Sequence, residues 1–150
     1  MNQPQFIISH VSPIHPMQLA LVFADGYEAT VNLAPLISKH PALRPLADPR
    51  VFEKVALDEW KRGVVFNHDD ELTLASDNLR ALSYEQAGQY SHQQLIAWMH
   101  KHHLSLEKAG EALGLSRRML AYYKSGQKPL PKTVGLAMKG WEFIHDQAAA

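Results

Sequence analysis

The sequence predicts an α+β chain: a small β-rich domain with short helices over residues 1–88, then an all-α domain of four to five helices over residues 89–150. Three observations carry this. Apolar residues alternate with period two in the early segments, as on half-buried strands. From Ser91 onward they recur at three- and four-residue intervals, as on amphipathic helices. Charge divides with the pattern. Residues 1–90 hold seven Lys/Arg against eleven Asp/Glu, a net of −4, and residues 91–150 hold eight against four, a net of +4. The zero net charge of the 150-residue chain is therefore the sum of an acidic half and a basic half, the arrangement expected when one module meets a polyanion.

In the first half, Phe6–Val11 is β-rich and is expected to stop at Pro13. Met17–Ala24 alternates, with Leu19, Leu21 and Phe23 on one face. Asp25-Gly26 reads as a two-residue hairpin turn with both residues at positive φ. The returning strand, Tyr27–Leu33, has Tyr27, Ala29, Val31 and Leu33 in phase. Pro35, Pro41, Pro45 and Pro49 break the next stretch into short pieces, with Asp48 capping one helical turn through Phe52. Val55–Trp60, Gly63–Phe66 and Glu71–Leu74 read as three further strands, the last two joined by Asn67–Asp70. Ser76 or Asp77 caps a short helix carrying Leu79 and Leu82.

In the second half, Ser91 caps a helix to about His102, with Leu95, Trp98 and Met99 on one stripe. Ser105 caps a second helix, LEKAGEAL, whose Leu106, Ala109, Gly110 and Leu113 point inward. Gly114 ends it in a left-handed conformation. Ser116 caps a third helix to about Lys124, closed by Ser125-Gly126. Pro129-Leu130-Pro131 turns the chain into a fourth, with Val134, Ala137, Met138, Trp141 and Ile144 as its apolar stripe.

Several function classes are excluded. A hydrophobic share of 46% is that of a globular chain. No apolar run approaches the roughly 18 residues that span a bilayer. The opening MNQPQFIISH lacks a basic start followed by a long apolar stretch, so no signal peptide, no membrane partner and a bacterial cytoplasmic location are expected. With no cysteine there is no disulfide, thiol nucleophile or Cys-based zinc site. HExxH, GxSxG, the P-loop and GxGxxG are all absent, so the chain is expected not to be an enzyme and to have no catalytic, cofactor or metal residues. His100, His102 and His103 read as a solvated helix end, because only the first and last share a face and no carboxylate is spaced to join them. His68-Asp69-Asp70-Glu71 fits a strand-connecting loop better than a cation site. Trp98 and Trp141 read as core.

Two resemblances add to this. FADGYEATVNLAPLI, PLADPRVFEKVALDE and GVVFNHDDELTLASDNL resemble the bacterial domain of unknown function 2442 over about residues 6–83. That domain usually has a Trp and an Asn-Gly where this chain has Phe66 and Asn67-His68. LSLEKAGEALGLSRRMLAYYKSGQKPLP, followed by a helix, resembles the Cro/phage-repressor (Xre-type) helix-turn-helix family from Leu104 to about Trp141. A small Gly110, a turn at Gly114, and Leu113, Leu115 and Leu120 in the wedge between helices suit that motif. Leu106 stands where the family often has Gln, and Lys124 where it often has an acidic residue.

The second resemblance implies a sequence-specific transcriptional regulator whose third helix enters the major groove of double-stranded DNA. Ser116, Arg117, Arg118, Ala121 and Tyr122 then face the groove, Arg117 and Arg118 foremost because a guanidinium can bond guanine O6 and N7 together. Ser116 also caps its own helix. Lys124, Gln127 and Lys128 lie at the helix exit, where phosphates pass. Tyr123 and Leu120 are expected in the core. Many such proteins are dimers, and the fourth helix and the sheet edges are the candidate seams. The alternative is an antitoxin-like or adaptor protein whose acidic domain binds a protein partner while the basic domain regulates its own gene.

Overall fold

The computed structural model describes residues 3–149; Met1, Asn2 and Ala150, at the outer ends of the two predicted domains, lie outside the described residues. The chain divides into two compact units, the first ending at Gln86 and the second beginning at Ala87.

The first unit holds two three-stranded antiparallel meanders, β1 (Ile8–Ile14), β2 (Gln18–Phe23) and β3 (Glu28–Asn32), then β4 (Val55–Leu57), β5 (Gly63–Phe66) and β6 (Asp69–Ala75). Alternation decides the inward face: Leu19, Leu21 and Phe23 are at most 1% exposed and pack with Val31, Leu33, Phe52, Phe66 and Leu79. Fully burying side chains of this size contributes about 1.5–3 kcal/mol each. Short helices α1 (Ala34–Lys39) and α2 (Pro49–Phe52) and a 3-10 turn, Pro41–Ala47, link the meanders. As expected, the Asp48 carboxylate caps α2 by accepting from the Arg50 N–H at 2.9 Å. Helix α3 (Ser76–Gln86) closes the unit, and its Gln86 side-chain amide bonds both the N–H (2.9 Å) and the C=O (2.7 Å) of Asn32 at the edge of β3.

Four boundaries differ from expectation, each for a local reason. β1 runs through Pro13, which pairs with Leu19, while Pro4–Phe6 forms a 3-10 turn. An edge strand tolerates Pro because the missing N–H costs no ladder bond on its outer side. The β2–β3 turn is three residues long: Gly26 alone has positive φ (92°), and the Phe23 N–H bonds the Tyr27 C=O at 2.8 Å. Asp25 instead accepts from the Tyr27 N–H, 3.2 Å away. β4 stops at Leu57 because the Asp58 carboxylate accepts from the N–H groups of Trp60 and Arg62, both at 3.0 Å, and turns the chain. β6 starts at Asp69, since Asn67 and His68 (φ 54° and 56°) make a two-residue hairpin turn of the mirror-image type.

The second unit is four helices: α4 (His92–Lys101), α5 (Leu106–Leu113), α6 (Arg117–Lys124) and α7 (Lys132–Ala149). Ser91 caps α4 through a reciprocal pair with Gln94, the hydroxyl accepting at 3.2 Å and the Gln94 oxygen accepting the Ser91 N–H at 3.0 Å. Such a cap typically contributes about 1 kcal/mol. Leu95, Trp98, Met99, Ala109, Leu120, Leu130, Val134 and Met138 form the core. On α7, however, Ala137 and Ile144 are exposed, Ile144 at 69%, contrary to the predicted stripe. The helix is rotated by ring contacts to α4 and its end: Trp141 meets Trp98 edge to face at 5.3 Å and His102 edge to face at 5.0 Å. At 100° per residue that face carries 134, 138, 141 and 145, and 137 and 144 fall outside it.

Candidate nucleic-acid interface

The α5–α6 pair is built around one turn. Ser105 caps α5 by accepting from the Lys108 N–H at 3.1 Å. Gly114 ends it at φ 73°, ψ 30°. A Cβ on Gly110 would lie 2.6 Å from the Leu115 carbonyl oxygen, so the close approach is made by the turn itself, and only glycine fits. Gly114→Val forces a β-branched residue into the left-handed region, where an ordinary L-residue already costs about 1–2 kcal/mol. We expect the helical unit to melt well below the wild type, read by circular dichroism; an unchanged melting curve would show that the turn does not depend on this glycine.

Ser116 then caps α6, its hydroxyl accepting from the Met119 N–H at 3.1 Å. Leu120 is fully buried and Tyr123 packs against the core from a half-buried position, both as expected. This fixes the rotation of α6. Ser116, Arg117, Arg118, Lys124, Gln127 and Lys128 are exposed, and Ala121 and Tyr122 are half-buried. Met119, on the boundary between the faces, is also half-buried.

The exposed side of α6 carries a basic cluster around one phenol. Arg118 Nε donates to Tyr122 Oη at 3.2 Å, and its guanidinium lies 5.7 Å from the ring centroid. The Lys128 ammonium sits 4.7 Å from the same centroid, and the Lys128 N–H bonds the Tyr122 C=O at 3.2 Å. The Arg118 hydrogen bond, then its charge, hold the Tyr122 phenol below its ordinary pKa, with Lys128 adding to the effect. The Arg117 side chain makes no hydrogen bond or ion pair among the described residues, and it projects from the first turn of α6.

Of the three histidines, His100 and His103 are exposed as expected, and His102 differs. His102 is not solvated: its side chain is 7% exposed and its Nε2 lies 2.6 Å from a carboxylate oxygen of Glu142. Lys101 Nζ reaches the other oxygen at 3.2 Å. The His102 hydrogen bond foremost, and then Lys101, hold the Glu142 carboxyl below its ordinary pKa. The carboxylate comes from a helix 40 residues further on, a separation to which local spacing is blind. Among the described residues no group of three or more potential ligands could hold a metal ion. Of the His68–Glu71 run, His68 lies in the hairpin turn and Asp69, Asp70 and Glu71 are exposed on β6, so the run is turn and strand rather than one loop.

These features describe a two-unit α+β chain whose helical unit presents one exposed basic helix after a tight glycine turn. Among the described residues no helix is long and apolar enough to cross a membrane. No protein-family model matches the chain, and no curated protein matches it. The crystal structure of Putative DNA Binding Protein NE0471 from Nitrosomonas europaea superposes on it with a TM-score of 0.82 at 37% identity, over 91% of this chain and 86% of that one. The chain belongs to the same family as NE0471.

Proposed function

We propose that the chain is a sequence-specific, DNA-binding transcriptional regulator of the Xre-type helix-turn-helix kind that acts as a dimer, with α6 as the helix that enters the major groove. The observation that carries this reading is the exposed α6 face, where Arg117 and Arg118 project from a capped first turn beside Tyr122 and Lys128. The name of its relative NE0471 supports the same direction. In this reading Arg117 and Arg118 contact base edges, Ala121 and Tyr122 contact thymine methyl or sugar, and Ser116 adds one phosphate bond to its capping role. Lys124, Gln127 and Lys128 hold the backbone at the helix exit.

The test is a titration of fluorescently labelled duplex DNA at rising salt. Lys124→Ala should weaken binding about equally on all sequences and reduce the salt slope by about one. An unaltered slope would remove Lys124 from the phosphate contacts.

A second reading, an adaptor whose first unit binds a protein, is favoured by one observation: the outer face of the first meander carries a shallow groove lined by His10, Ser12, Ala20, Val22, Glu28 and Thr30. A stoichiometric second polypeptide purified with the chain from its native cells would support it; its absence favours the stand-alone regulator.

A further inference from the structure

Helix α7 is amphipathic twice over. One side packs on the helical core through Val134, Met138 and Trp141. Thr133, Leu136, Gly140, Phe143 and Gln147 form a second line, stepping by three and four residues along the outer side, and all five are exposed. That stepping is the seam of a two-helix coil. Three of the six large exposed hydrophobics among the described residues lie on or beside it: Leu136 at 52%, Phe143 at 66% and Ile144 at 69%. Gly140 is not demanded by its own unit, because an added Cβ would meet nothing within 4 Å. A mid-helix glycine costs about 1 kcal/mol relative to alanine, so its place in this line is informative.

We propose that this face pairs with the same face of a second copy, the two α7 helices running antiparallel, with Phe143 of each copy seated on Gly140 of the other.

The charges select both occupant and direction. Lys139 and Asp146 flank the line on one side, seven residues apart, and Ala137 and Ile144 flank it on the other. With Phe143 over Gly140 in an antiparallel pair, Lys139 of each copy lies opposite Asp146 of the other, twice by symmetry. Ile144 then falls beside Ala137 of the second copy. A parallel pair would bring each charge against the other copy's apolar flank and set like charges at one level. The Lys139 ammonium lies 5.5 Å from the Tyr90 ring, so forming the ion pair requires only that a flexible side chain swing off that ring. A seam two heptads long buries less than a standard stable interface, so a weak dimer is expected. A self-complementary two-fold contact is also the form a closed dimer takes.

This inference deepens the dimeric part of the proposed function, and its test is run without DNA so that the two fail separately. Sedimentation equilibrium on the full chain up to about 100 μM should show a monomer–dimer equilibrium. Phe143→Asp should weaken it by about tenfold or more while the melting curve is kept, since Phe143 lies outside the core. Lys139→Glu and Asp146→Lys should each weaken dimerisation several-fold, and the K139E/D146K double variant should recover it. A wild type that stays monomeric throughout overturns the proposal, as does a dimer indifferent to Phe143→Asp. A charge-swapped double variant no tighter than the single ones overturns the antiparallel register. A wild type that dimerises but binds no DNA would overturn the DNA-binding reading and leave this one standing.

Discussion

Alanine at both Arg117 and Arg118 should abolish sequence-specific DNA binding and leave a weak, salt-sensitive residue of affinity. Each bidentate guanidinium–guanine contact discriminates by about 1–3 kcal/mol, so losing two weakens specific binding by roughly 30- to 20,000-fold. The residual affinity would come from Lys124, Gln127 and Lys128, which the substitution leaves in place. Fold stability should hardly move, because both arginines are exposed and exposed substitutions usually stay within about 0.5 kcal/mol. The Ser116 cap that starts α6 uses a hydroxyl and a backbone N–H and is untouched. A further variant with lysine at both positions separates charge from geometry. It should keep the non-specific affinity and still lose discrimination, since an ammonium cannot make the planar two-bond contact. Parallel titrations on cognate and scrambled duplexes read both quantities, and equal discrimination by wild type and the alanine variant would remove α6 from base recognition.

The largest expected loss of stability lies in the other unit, at Arg80→Ala. The Arg80 side chain is 6% exposed, pairs with Asp25 at 2.8 Å and donates to the Gln5 carbonyl at 3.0 Å. Its guanidinium lies 4.3 Å from the Tyr27 ring centroid and 5.0 Å from that of Phe23. Removing one member of a largely buried pair costs about 3–5 kcal/mol, and because Asp25 keeps some access to water the lower end applies. Burial alone would raise the Asp25 carboxyl, but the Arg80 hydrogen bond, the Tyr27 N–H and the Arg80 charge outweigh it and hold it below the ordinary value. A carboxyl depressed on folding contributes stability above its unfolded pKa and loses that contribution as pH falls through the folded one. The first unit of the wild type should therefore lose stability across the acid range below the ordinary carboxylate value. Arg80→Ala should be less stable at neutral pH and flatter with acid. Urea unfolding at pH 7 and at several acid values measures both, and a variant within about 1 kcal/mol of wild type at pH 7 would contradict this role for Arg80.

How much was legible in the sequence follows from how local each cause is. The caps at Ser91, Ser105 and Ser116 and the turn at Gly114 rest on contacts within a few residues, and the structure shows them where the sequence places them. The boundaries of β4 and β6 missed because Asp58 and the Asn67-His68 pair turn the chain in ways that alternation does not report. An Asn-Gly at that second site would have announced the hairpin, and here histidine carries the positive φ instead. The inward face of α7 was only partly legible: Val134, Met138 and Trp141 pack as predicted, and Ala137 and Ile144 do not. Its apolar residues supply two stripes, and ring contacts of Trp141 with Trp98 and His102, with the Glu142–His102 contact, choose which one faces inward. At the candidate interface, the exposure of Ser116, Arg117, Arg118, Lys124, Gln127 and Lys128 is what the helix-turn-helix resemblance implied. The Arg118–Tyr122 contact is an i,i+4 pair on α6, but the approach of Lys128 to Tyr122 could not be read, because it depends on how the chain folds back after Gly126.

Selection of bound duplexes from a random pool, run in parallel on the wild type and on the Arg117→Ala/Arg118→Ala variant, tests most directly that α6 reads DNA. The wild type should enrich a defined sequence containing guanines at the arginine-contacted positions, arranged as an inverted repeat if two copies bind together, and the variant should enrich none. No enrichment by the wild type, or the same sequence from both proteins, would contradict it.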